Sequence, residues 1–128
     1  MNPMDRRPLR IAIACYPTIG GSGVVATELG LALHRRGHEV HFVASAQPVR
    51  YPGDGERLRW HPVRIPAYAL FGFPSYGMST ACVLAEVADQ FRIDLFHVHY
   101  AYPHAVSGYL ANRMTHEGNP AVITTLHG

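Results

Sequence analysis

Apolar and polar positions along the chain switch repeatedly between the period of a strand and that of a helix. Leu9–Cys15 (LRIAIAC) is a short apolar run closed by turn residues, the pattern of a strand buried on both faces. From about Gly23 to Arg36 the spacing becomes helical, with Val25, Leu29 and Leu33 (or Ala32) three to four apart along one stripe. Arg35 and Arg36 fall in its last turn, where cations suit the helix dipole, and Gly37 can take a left-handed cap. Glu39–Ala44 (EVHFVA) reads as the second strand, and Arg59–Ile65 as a third after a loop rich in Pro, Gly and charge over 45–58. Pro66–Gly77 (PAYALFGFPSYG) reads as a nonhelical connection. Its Tyr68, Phe71, Phe73 and Tyr76 either cover a ligand or meet another subunit, or they pack the loop onto the sheet. Ser79–Phe91 has a helical face of Val83, Leu84, Val87 and Phe91, and Asp94–His99 is a strand. Pro103 is placed to open a helix over His104–His116, and Ala121–Leu126 is the last strand.

Strands alternating with helices predict an α/β fold: a Rossmann-like parallel sheet with flanking helices and right-handed crossovers. The expected strand order is 3-2-1-4-5, with the loop after the first strand at the topological switch point. Residues 1–8 read as an amino-terminal tail and 9–128 as the domain. Sites in such sheets gather at the carboxyl ends of strands. Those ends carry Gly20–Gly23 after the first strand, His99–Tyr100 after the fourth and His127 after the fifth. The first and fourth strands are expected neighbours, as are the fourth and fifth, so the three clusters are expected to converge.

The first cluster lies in CYPTIGGSGVVATELG, residues 15–30. Ser22 is expected near the N-cap of the first helix, ahead of several backbone N–H groups without helical partners. Glycines let a phosphate or carboxylate approach such a terminus; the plainer alternative is a tight turn that Ser22 merely caps. The eleven basic residues are all arginines, which removes the Walker A lysine and any Schiff-base lysine. The dinucleotide fingerprint is also missing, because the second strand ends Ala44-Ser45-Ala46 with no acid for a ribose.

Composition narrows the class without naming a ligand. At 128 residues, 48% hydrophobic and 16% charged, the chain can bury a core, and a net charge of +2 is too small to argue for nucleic acid. Two cysteines, Cys15 and Cys82, suit a reducing compartment. Only IAIAC follows the basic start MNPMDRRPLR, too short for a signal core or a membrane span, so the expectation is a cytoplasmic protein with no membrane partner.

Nine histidines raise a rival reading. His97 and His99 share a strand face, and with His104 and His127 nearby they suggest a metal hydrolase. No carboxylate completes that set, since Asp94 stands at the wrong end of the strand. The alternative makes His97 a hydrogen-bonded core residue and lets His99 line the cleft. His34, His38, His41, His61 and His116 read as surface or packing residues. Cys15 reads as a small buried hydrophobe rather than a catalytic thiol.

Four stretches taken together, CYPTIGGSGVVATELG, RRGHEVHFV, HVHYAYPHA and VITTLHG, resemble the amino-terminal domain of retaining GT-B glycosyltransferases of family 4. Within that family they are similar to the malate-directed N-acetylglucosaminyltransferases of bacillithiol synthesis. The resemblance implies transfer of N-acetylglucosamine from UDP-N-acetylglucosamine to the hydroxyl of L-malate, with configuration retained, no metal, and no cofactor beyond the donor substrate. It implies that Gly20, Gly21 and Gly23 present N–H groups to donor phosphates or acceptor carboxylate, and that Ser22 bonds an anionic oxygen. Tyr100 and Thr125 would contact malate, and His127 would be the active-site histidine meeting acceptor and transferred sugar. Attack from the leaving-group side leaves the protein to position reactants and stabilise charge. The family continues into a second, donor-binding domain, so residues 1–128 read as part of a chain roughly three times longer, inactive alone. Homo-oligomerisation stays open. So do three other readings: a different acceptor (an inositol phosphate or a sugar), a noncatalytic anion-binding module, and the metal hydrolase.

Overall fold

The computed structural model describes residues 7–65 and 75–127. Eight elements follow one another: β1 (Arg10–Ala14), α1 (Gly21–Arg35), β2 (Glu39–Ala44), β3 (Leu58–Pro62), α2 (Tyr76–Phe91), β4 (Leu95–His99), α3 (Val106–Met114) and β5 (Ala121–Thr125). The strands form one parallel sheet in the order β3-β2-β1-β4-β5, as the alternating pattern predicts. β1 lies at the centre, and Ile11, Ala12, Ile13 and Ala14 are all buried, because helices cover both of its faces.

Two apolar clusters sandwich the sheet. On one face Phe96 and Val98 of β4 pack with Leu84, Ala88 and Ala111 of α2 and α3. On the other, Ile11, Ile13, Val40 and Phe42 pack with Ala26 of α1, and Leu95 joins from β4. Period two therefore sends His97 and His99 to the same face as Leu95, away from α2 and α3.

Helix α1 departs from the expected stripe. Its buried residues are Ser22, Gly23, Ala26, Thr27 and Gly30, while Val25 is 50% exposed and Leu29 and Leu33 are only half-buried. The reason is proximity: a Cβ on Gly30 would stand 2.4 Å from Cζ of Phe42 and 2.9 Å from Cδ1 of Ile13. A helix that close to a sheet turns its small residues inward and its larger ones outward. Its far end matches expectation. Gly37 takes φ +97°, its N–H reaches the His34 carbonyl, and the His38 N–H reaches that of Leu33, closing a Schellman motif.

Helix α2 begins earlier than the apolar periodicity indicates. Ser75 caps it, its Oγ accepting from the Met78 N–H, so Tyr76 and Gly77 are helical and not part of an irregular connection. Tyr68, Phe71 and Phe73 lie outside the described residues. The helix expected over His104–His116 is shorter: Ala101–Ala105 form an irregular turn with Tyr102 extended, and regular helix starts at Val106.

Candidate active site

The carboxyl ends of β1, β4 and β5 meet as the strand order requires. After β5 the chain carries His127 beside β4, where His99 Nδ1 lies 3.0 Å from His127 Nε2. The two rings stack at 5.3 Å, and the ring of Tyr100 stands 5.1 Å from His127 on another side. Tyr100 is held by its backbone: its N–H donates to the Thr125 carbonyl at 2.9 Å, and its φ is +83°. Thr125 is tied a second time, its Oγ1 2.7 Å from His97 Nε2. Tyr100, Thr125 and His127 are therefore one cluster.

A second chain of contacts supports it from beneath. His104 is fully buried, and its Nδ1 lies 2.6 Å from the carbonyl oxygen of His99. A carbonyl only accepts, so Nδ1 carries the proton, and Nε2 of the neutral ring accepts from the Tyr76 hydroxyl at 2.9 Å. Tyr16, just after β1, has its ring 4.6 Å from that of His104 and 5.6 Å from that of Tyr100. Tyr16, Tyr76, Met78, Tyr102, Ser107 and Leu110 also line a cavity of about 510 Å³ between the start of α2 and the irregular turn.

The glycine turn joins through Tyr16. A Cβ on Gly23 would lie 2.8 Å from the Tyr16 carbonyl oxygen and 2.3 Å from that of Thr18. Gly23 is thus bare because the loop folds back against it, and its exclusion of a side chain needs no ligand. Gly20 and Gly21 differ: nothing lies within 4 Å of a Cβ built on either, so the space beside them is open. Gly20, not Ser22, is the N-cap, with φ −78° and ψ 155° and no side-chain cap bond. Ser22 sits inside the first turn and is 8% exposed. No acidic residue occupies that turn, so its positive end meets no compensating side chain there. Such a terminus, open beside two glycines, can accept a phosphate or carboxylate.

Burial governs the protonation of the cluster. It pushes His99 down to about 4, helped by the charges of His97, His127 and His104, and it also lowers His97 and His104. It pushes the Cys15 thiol up to about 12, so Cys15 is a protonated core residue and no nucleophile at neutral pH. Of the histidines that suggested a metal site, His97 is bonded to Thr125, His104 to the His99 carbonyl and Tyr76, and His99 and His127 to each other. Among the described residues no group of three or more His, Cys, Asp or Glu is disposed to hold a metal ion.

Residues 19–128 match the family described as Glycosyltransferase Family 4. The chain belongs to that family. Among curated proteins it is 47% identical over 120 residues to N-acetyl-alpha-D-glucosaminyl L-malate synthase of Bacillus anthracis, covering 94% of this chain and 31% of that protein. Among solved structures it resembles a glycosyltransferase from Rickettsia africae ESF-5, with TM-score 0.70 and 22% identity, over 96% of this chain and 31% of that one. The chain thus spans about a third of the length of the relatives it matches.

For this family 4 domain His97 is hydrogen-bonded, to Thr125, as expected, whereas His99 is buried and does not line an open cleft. His99 is the fully buried one, stacked against both His97 and His127, and His97 is half-buried beside Thr125. The reason lies past the end of β4, where the ring of His127 closes over His99. Tyr16 is not expected in the site; His104 is expected near it only in the metal-hydrolase reading, and Tyr76 only as one of the aromatics that cover a ligand or pack a loop onto the sheet. The period-two pairing of His97 with His99 and their approach to His127 are visible in the sequence; the contacts of Tyr16 and Tyr76 with His104 join residues far apart in the chain.

Proposed function

We propose that this domain is the acceptor side of a retaining transferase that moves N-acetylglucosamine from UDP-N-acetylglucosamine to the hydroxyl of L-malate. One observation carries the reading: 47% identity over 94% of the chain to a protein named for the malate product. The open space beside Gly20 and Gly21 at the start of α1 suits a reactant that carries anionic groups, malate through carboxylates and the donor through phosphates. Ser22 bonds an anionic oxygen, Tyr100 and Thr125 contact malate, and His127 meets acceptor and sugar. Transfer then depends on alignment of donor and acceptor and on N–H groups facing developing charge, with no protein nucleophile and no cofactor beyond the donor. Among the described residues no helix is long and apolar enough to cross a membrane. We place the reaction in the cytoplasm, where nucleotide sugars and malate are available to it.

The test is an acceptor screen on a two-domain enzyme carrying residues 1–128 as its amino-terminal part. UDP-N-acetylglucosamine is offered with malate, an inositol phosphate or simple sugars. Turnover selective for malate is expected. Turnover of another acceptor alone would replace malate in this reading, and no turnover of any acceptor would favour an anion-binding module.

A further inference from the structure

His99 makes no direct claim on a substrate, yet it is the most constrained ring in the site. It is 0% exposed, stacked 4.6 Å from His97 on one side and 5.3 Å from His127 on the other. Its carbonyl is held by the His104 Nδ1–H, which is itself fixed by Tyr76. Its Nδ1 faces His127 Nε2 at 3.0 Å, and its Nε2 is buried with no hydrogen-bond partner among the described residues.

Two proton arrangements satisfy the contact between the rings. In one, His99 carries its proton on Nε2, which leaves a buried N–H donor with nothing to receive it. In the other the proton is on Nδ1 and points at His127, and the unpartnered atom is a bare acceptor. Orphaned buried N–H groups are rarer than buried acceptors left short of a partner. A doubly protonated His99 would bury both the orphan donor and a charge. The neutral Nδ1–H form is therefore favoured, and His127 Nε2 must accept.

We propose that His99 is a positioning residue that fixes the tautomer of His127, so that His127 accepts through Nε2 and offers its Nδ1–H to the reactants. His127 then serves as a hydrogen-bond donor to an acceptor or sugar oxygen as charge develops, and not as the base that removes the acceptor proton. One ring nitrogen's partner setting the state of the other is a general property of imidazoles. The inference rests on the malate-transferase reading for what His127 faces, but its central claim concerns a proton position that can be read without substrate.

The experiment uses the same two-domain enzyme with ¹⁵N-labelled histidine. In the wild type, His127 is expected to show an unprotonated Nε2 and a protonated Nδ1. In His99→Phe the two tautomers should mix, and kcat should fall about tenfold or more while KM for malate stays within about twofold. His99→Asn, whose amide can donate from nearly the Nδ1 position, should restore both the tautomer and most of kcat. A wild-type His127 protonated on Nε2 would overturn the proposal, as would a His99→Phe enzyme keeping the wild-type tautomer and rate. The wild-type spectrum decides even if His99→Phe does not fold. Failure to use malate would count against the function while leaving the tautomer to its own spectrum.

Discussion

The carbonyl oxygen of Thr18 occupies the place where Gly23 would carry a side chain, 2.3 Å from its virtual Cβ. Gly20 and Gly21, three and two residues before it, have no such neighbour. One glycine of the turn answers to the loop and the other two to open space. Gly23→Ala is expected to destabilise the fold by about 1–3 kcal/mol, as overpacking does. Gly21→Ala, inside the helix, should leave the urea midpoint nearly unchanged or slightly raised, because alanine is the better helix former. Gly20→Ala, at the N-cap where alanine is disfavoured, should cost up to about 1 kcal/mol. Under the malate reading both should raise KM by crowding the anion. Unfolding curves with matching kinetics separate the two classes.

The small-residue face of α1 makes a similar prediction. Gly30→Ala would drive a methyl against Phe42 Cζ, at 2.4 Å, and should cost about 1–3 kcal/mol in urea unfolding. Phe42→Leu introduced with it should recover part of that loss, since the two sites share one contact. Val25→Ser, on the exposed face, should stay within about 0.5 kcal/mol of wild type.

Stability should depend on pH through the buried histidines. Burial lowers His41, His97 and His104 and takes His61 and His99 down to about 4, against an ordinary value of 6.5. Below 6.5 the unfolded chain binds protons that the folded chain refuses, so stability is full above that pH and falls as pH drops towards 4. Asp94 acts lower on the scale. Its bond to Arg7 holds it below 3.8, so its contribution is lost only in stronger acid. Melting temperatures from pH 8 to 4 should decline mainly below about 6.5; a flat profile would contradict the buried, neutral imidazoles.

Tyr76 anchors the start of α2 to the site. Tyr76→Phe removes the donor to His104 Nε2 and leaves a buried acceptor unpaired, a change expected to cost about 1–3 kcal/mol. Under the malate reading, kcat should fall with it, since His104 holds the His99 carbonyl. Equal stability of the two proteins would show that the hydroxyl bond carries no weight.

Residues 1–128 assayed alone with UDP-N-acetylglucosamine and malate should give no appreciable transfer, because they supply about a third of the length of the transferases they resemble. Ordinary turnover by this chain would show that one domain suffices.

Much of the architecture is legible along the chain because the signals are local. β2 runs over Glu39–Ala44 as its pattern predicts, Gly37 takes the left-handed cap, and the parallel order follows from alternating strands and helices. The convergence of His99, Tyr100 and His127 also follows, since it needs only that order and the ends of two adjacent strands.

The buried face of α1 was not legible, because periodicity ranks residues by hydrophobicity whereas the distance to Phe42 selects them by size. Nor was the start of α2 at Tyr76, which a single serine hydroxyl decides. By itself the sequence determined the order of elements, the sheet and which strand ends carry chemistry, all consequences of local spacing and turn residues. Only the tertiary structure decided which glycine is bare for packing and which for space, and which histidine is buried. Those outcomes depend on contacts between residues far apart in the chain, such as His99 with His127 and Tyr76 with His104.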